Sequence, residues 1–204
     1  VRALLKISGA IDTLNEWVGR LSMWLVLAAV LISAGNAIMR KAFNVGSNAY
    51  LEIQWYLYAA VFMLAAAYVM LHNGHVRIDF IASRLSRKTN AIIDALGIVL
   101  FVLPLCVVLI DLSWPFFMRA YTSGEMSENA GGLIRWPVIL LIPLGFALLL
   151  LQGVSELIKR LAFIRGVIDS PFTHESSKTQ EEELAEALAA AEAAAAAKAK
   201  GERA

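Results

Sequence analysis

Apolar residues in this chain gather in four long runs rather than in alternating or one-faced stripes. The runs lie at residues 21–39, 52–71, 91–112 and 137–154. Each is close to the ~20 residues that carry an α-helix across ~30 Å of hydrocarbon at ~1.5 Å per residue. A helix satisfies its own backbone in lipid, whereas barrel strands alternate in polarity and these runs do not. The pattern therefore predicts an all-α membrane protein with four transmembrane helices. Two flanking segments are amphipathic. Leu4, Ile7, Ile11, Leu14 and Val18 step by three and four within residues 1–20. Ile78, Ile81, Ala82 and Leu85 form a second apolar stripe, which marks residues 79–88 as another such helix. Both are expected to lie along the membrane interface, with basic residues among the headgroups.

Charge sets the expected orientation. Arg2, Lys6 and Arg20 flank the first span; Arg77, Arg84, Arg87 and Lys88 lie between spans two and three; Lys159, Arg160 and Arg165 follow span four. The opposite side has only Arg40, Lys41, Arg119 and Arg135. Ten against four predicts that both termini are cytoplasmic. Tyr50, Trp55, Tyr56, Trp114, Tyr121 and Trp136 fall at the outer ends of the spans, as an aromatic belt would. The first run lacks a small-residue cleavage site after it and is expected to be a retained span.

Composition agrees: 59% of residues are hydrophobic and 17% charged. A net charge of +1 gives no footprint for nucleic acid. The single cysteine, Cys106, excludes an intrachain disulfide and a cysteine metal cluster. Beyond Gly166 the chain becomes polar, and residues 180–200 are nearly all Ala, Glu, Leu and Lys. Residues 167–204 are expected to be a linker and a solvated helical tail.

Ionisable and amide residues in the spans are few and terminal. Glu52 and Gln54 open span two, Asp94 lies one turn into span three, Asp111 closes it, and Glu156 follows span four. The central thirds of the spans carry no carboxylate. Ion-coupled carriers place their ligands near the midplane at broken helices, so this chain alone is a poor candidate for a substrate pathway. His72 and His75 are separated by Asn73-Gly74, which breaks a helix, and no cofactor or metal is expected. The chain has no nucleophile elbow, phosphate loop or zinc motif, and no enzymatic activity is expected.

Several short motifs occur in order: Asn48 and Glu52-Ile53-Gln54-Trp55 at the head of span two, His75-Val76-Arg77-Ile78-Asp79 after it, Gly124-Glu125-Met126-Ser127 in the outer loop, and Ile142-Pro143-Leu144-Gly145-Phe146 in span four. Together, over residues 14–160, they resemble the small membrane subunit of TRAP transporters, the DctQ-like family. The resemblance implies a three-part, sodium-coupled importer of organic acids in the bacterial inner membrane. A soluble substrate-binding protein captures the acid; a large membrane subunit holds the substrate and sodium sites and moves; the small subunit steadies that large subunit within the lipid. On this reading Glu52, Gln54, Arg77, Asp79 and Asp94 are candidates for structural or subunit contacts. Arg119, Glu125, Glu128 and Arg135, in or beside the largest outer loop, are candidates for docking the binding protein. The alternative reading is a membrane anchor or assembly subunit of an enzyme complex.

Overall fold

The computed structural model of the chain describes residues 2–44, 46–74 and 85–170. Four helices in it are long and apolar enough to cross a membrane: α1 (Arg2–Phe43), α2 (Asn48–Leu71), α3 (Arg87–Ser123) and α4 (Trp136–Ile164). The chain is a multi-pass, all-α membrane protein. Arg77, Asp79 and most of the expected second interfacial helix lie outside the described residues, as does the tail from residue 171. Where that expected helix re-enters view it does not continue. Ser86 is extended and caps α3, its hydroxyl accepting from the Thr89 N–H at 3.1 Å. Arg87 and Lys88 therefore belong to the first turn of α3.

α4 is the centre of the bundle and packs against each of the other three helices; α1 and α2 also pack on each other. Glycines set the close approaches. A Cβ on Gly145 of α4 would lie 2.7 Å from the Met63 carbonyl oxygen of α2, so only a hydrogen fits there. Gly19 of α1 lies against the ring of Tyr68 on α2. Between Ile98 and Val102 α3 widens into a π turn, with the Leu103 N–H donating to the Ile98 carbonyl. The widening comes just before Pro104, whose ring would otherwise meet the preceding turn. This π turn packs on Gly153 of α4: a Cβ there would stand 3.1 Å from a Leu103 methyl.

α1 departs from expectation. The sequence suggests an interfacial helix to residue 20 and then a span, but one helix runs unbroken from Arg2 to Phe43. Its buried residues are Ser8, Asp12, Asn15, Gly19, Ser22 and Ala29, a mostly polar line at steps of three and four. The apolar line is turned mostly outward: Leu4, Ile7 and Leu14 are exposed, and Ile11 and Val18 are half-buried. The expected amphipathicity is present but inverted, because the polar face has a polar partner on α4. α4 likewise continues past residue 154. It ends with the Gly166 N–H donating to the Phe163 carbonyl and the Val167 N–H to the Ala162 carbonyl, both at 2.9 Å. Gly166 has φ 72°, the left-handed turn that closes a helix this way.

Candidate functional site

Two polar constellations lie at opposite ends of the bundle. The first joins the N-terminal half of α1 to the C-terminal half of α4. Gln152, Ser155, Glu156, Lys159 and Arg160 occupy one face of α4 at helical spacing, and all are buried. Asn15 Nδ2 donates to Gln152 Oε1 at 2.7 Å. Gln152 Nε2 donates to Asp12 Oδ1 at 3.0 Å and to Glu156 Oε1 at 3.1 Å. The Ser155 hydroxyl donates to Asp12 Oδ1 at 2.7 Å. Lys159 Nζ stands between two carboxylates, 3.1 Å from Asp12 and 2.5 Å from Glu156. Arg160 pairs with Glu156 and reaches Asp94 of α3 at 3.4 Å. Three helices are thus joined through one buried charge network. Burying these charges is tolerable because each is paired and hydrogen-bonded.

Beside this network, α1 and α2 meet through Glu16 and His72, whose Nε2 lies 2.6 Å from a Glu16 oxygen. Glu16 also accepts from Arg20 at 2.9 Å. The His72 ring rests on Tyr68 with centroids 4.2 Å apart. The His72 backbone N–H caps the end of α2, and its imidazole is used inside the chain on Glu16. Among the described residues no group of three or more His, Cys, Asp or Glu side chains could hold a metal ion.

The second constellation organises the connection between α3 and α4 into a small hairpin. Gly124, at φ 62°, turns the chain out of α3, and Gly131, at φ 71°, makes the tip. Met126 bridges Ile134, the Ser127 N–H donates to the Leu133 carbonyl, and the Arg135 N–H donates to the Glu125 carbonyl, the last two at 2.9 Å. One face of α2 grips this hairpin. Asn48 Nδ2 donates to the Ala130 carbonyl at 3.1 Å. Glu52 accepts from the Ser127 hydroxyl, from Asn129 Nδ2 at 2.7 Å and from the Leu133 N–H at 2.7 Å. The Tyr56 hydroxyl donates to the Ile134 carbonyl at 3.1 Å. Positions 48, 52 and 56 are one helical turn apart, so a single line of side chains fixes the hairpin. Aromatic rings brace the same end: Trp114, Phe117, Tyr121 and Trp136 follow one another with centroids 5.5–5.9 Å apart.

The candidate residues fall into distinct places. Glu52 is the hairpin's clamp. Gln54 is buried, and its Nε2 has no hydrogen-bond partner among the described residues. Asp94 joins the α1–α4 network at the other end of the bundle. Glu125 and Arg135 pair with each other across the base of the hairpin. Arg119 and Glu128 are exposed. Sequence reasoning missed Asp12, Asn15, Gln152, Ser155 and Lys159 as a unit. The signal was there: Ser8, Asp12, Asn15, Gly19 and Ser22 have the same three-four spacing as the apolar residues beside them.

Over residues 29–163 the chain matches the family model of the DctQ component of tripartite ATP-independent periplasmic transporters. No curated protein matches it.

Proposed function

The chain belongs to the DctQ family of TRAP transporter components, and from that premise we propose that it is the small scaffold subunit of a sodium-coupled importer of organic acids. It is a transporter component and not an enzyme. In this reading it sits in a bacterial inner membrane with both termini in the cytoplasm. It steadies the large transport subunit and presents its hairpin to the soluble substrate-binding protein.

The observation that carries the scaffold reading is the inversion of polarity. Asp12 and Asn15 of α1 face Gln152, Glu156 and Lys159 of α4 and tie the chain's own helices together. Large apolar side chains point away from the bundle, from Leu4 and Ile7 through Trp24 and Leu31 on α1 to Phe62 on α2. An apolar outer surface of this extent needs lipid or another membrane helix against it. A chain held rigid from within and apolar without is suited to stand still beside a moving subunit. The hairpin supports the docking half of the proposal. Arg119 and Glu128 are exposed at its end of the bundle, and Glu52 holds fixed the loop that carries Glu125 and Glu128. We assign Gln54, with Arg77 and Asp79, to contact with the large subunit.

Reconstitution in proteoliposomes tests this. The chain alone should move no organic acid under a sodium gradient. Adding the large subunit and the loaded binding protein should give sodium-dependent uptake. Uptake by the chain alone, or full uptake by the other two without it, would defeat the assignment.

A further inference from the structure

Beneath the hairpin, between α2 and α4, lies an open cleft of about 600 Å³. Its wall includes Trp55, Ala59, Glu128, Arg135 and Val138. We propose that this cleft binds a phospholipid whose headgroup carries both a phosphate and a primary ammonium, the chemistry of phosphatidylethanolamine.

The polar rim has a particular charge pattern. Glu52 also borders the cleft, but its carboxylate is filled by three donors from the hairpin and has nothing to offer a ligand. Arg135 gives one Nη to Glu125 and its charge also faces Glu52, while its Nε and other Nη have no hydrogen bond among the described residues and can donate to an anion. Glu128 is exposed, and among the described residues it has no hydrogen bond or ion pair. The rim therefore presents a guanidinium with spare donors and a free carboxylate. A phosphate meets the first through charge-assisted hydrogen bonds, and an ammonium meets the second.

Along α2 and α4 the lining passes from Glu52 and Arg135 to Trp55, Tyr56, Ala59 and Val138, and this mainly apolar floor points to an amphiphile. Trp55 and Ala59 lie three and seven residues beyond Glu52 along α2, roughly 5 and 10 Å deeper by helical rise. Val138 lies three residues into α4 from Arg135, roughly 5 Å deeper. The change from polar to apolar lining over this depth matches the interfacial layer of a bilayer, about 5–8 Å on each side of the hydrocarbon. Trp55 is 75% exposed and makes one flat wall for an acyl chain. A small soluble zwitterion would use the rim alone and leave this floor uncovered.

The test is native mass spectrometry of the full chain in detergent. An equal mixture of phosphatidylethanolamine, phosphatidylglycerol and phosphatidylcholine with matched acyl chains is the probe. The wild type should retain one phosphatidylethanolamine in preference to the other two. Glu128→Gln should lower that preference about tenfold, the loss of one charge-assisted hydrogen bond. Glu128→Lys should turn the preference toward phosphatidylglycerol, and Ala59→Trp should fill the floor and abolish retention of all three. Glu128 is exposed, so its variants keep the fold, and far-UV circular dichroism checks Ala59→Trp. Retention in the proportions of the mixture would overturn the proposal, as would a preference unmoved by either Glu128 variant. So would a wild type that holds no lipid while Ala59→Trp reduces recovery of the large subunit, which would give the cleft to a protein partner. Glu128 is common to this proposal and to the docking reading, and the two are told apart because lipid selectivity is read on the isolated chain, and docking and transport on the assembly.

Discussion

Asn15 and Gln152, 137 positions apart, meet in the interior of the bundle, where the Asn15 amide donates to the Gln152 carbonyl oxygen at 2.7 Å. Both side chains are fully buried. Gln152 uses its own amide nitrogen on Asp12 and Glu156, so it is the junction between an amide pair and a charge network.

That asymmetry makes a prediction. Asn15→Leu removes one donor and leaves one buried carbonyl oxygen unpaired, a cost of about 1–3 kcal/mol. Gln152→Leu strands the Asn15 amide and takes a donor from two buried carboxylates. It should therefore destabilise the chain more than Asn15→Leu does. Thermal unfolding in detergent, followed by circular dichroism, measures both. Equal shifts would mean that Gln152 does not link the two parts.

A second prediction concerns the hairpin. Glu52→Gln keeps the shape of the side chain but replaces one acceptor oxygen with a donor. The amide then serves either the Leu133 N–H or the Ser127 and Asn129 side chains, but not both sets. Amide exchange at Ser127 and Leu133 should accelerate severalfold while α2 and α4 keep their protection. Glu52→Ala should accelerate it further. Unchanged exchange at Leu133 would show that the backbone ladder holds the hairpin without α2.

The four spans were legible because lipid rewards blocks of apolar residues and these are long. The ends of α1 and α4 were not. Polar residues from Ser8 to Asn15 and from Gln152 to Arg160 read as the membrane's edge, yet each set is one half of a buried interface. Neither half announces its partner 140 positions away, and burial of Lys159 runs against the usual placement of lysine. Glu52 stood out as an ionisable group at a span end, but its role depended on where the hairpin's N–H groups point. Asn48, Glu52 and Tyr56 share helical spacing, and that line was the readable clue.

Packing supplies a third prediction. At Gly145 a side chain would meet the backbone of Met63, which yields only if α2 and α4 separate. Gly145→Val should destabilise by about 1–3 kcal/mol or more through overpacking. Gly9, exposed on α1, has nothing within 4 Å of where a Cβ would stand. Gly9→Ala should stabilise by up to about 1 kcal/mol through helix propensity alone. Opposite signs in thermal unfolding are the expected result. Destabilisation by Gly9→Ala would mean that another surface closes on that face of α1.

The last prediction fixes the orientation, for which the charge asymmetry is the warrant. An impermeant thiol reagent applied to intact cells reads it, provided the probe sites are open to solvent. Ser8 is unsuitable because it is buried against Ser155, with the two hydroxyls 2.7 Å apart, and would stay unlabelled on either side. Ala3 and Ser86 are exposed at the end of the bundle where α1 begins and α4 ends, and Ser123 is exposed at the hairpin end. The native Cys106 is buried and should give little background. With both termini cytoplasmic, Ser123→Cys should label in intact cells, whereas Ala3→Cys and Ser86→Cys should label only after the membrane is opened. The reverse pattern would turn the molecule over. The hairpin would then face the cytoplasm, and no soluble protein outside that membrane could dock on it. Labelling of Ala3→Cys and Ser123→Cys together in intact cells would be incompatible with the three spans, α1 to α3, that separate them. The experiment thus tests the four-span arrangement as well as its direction.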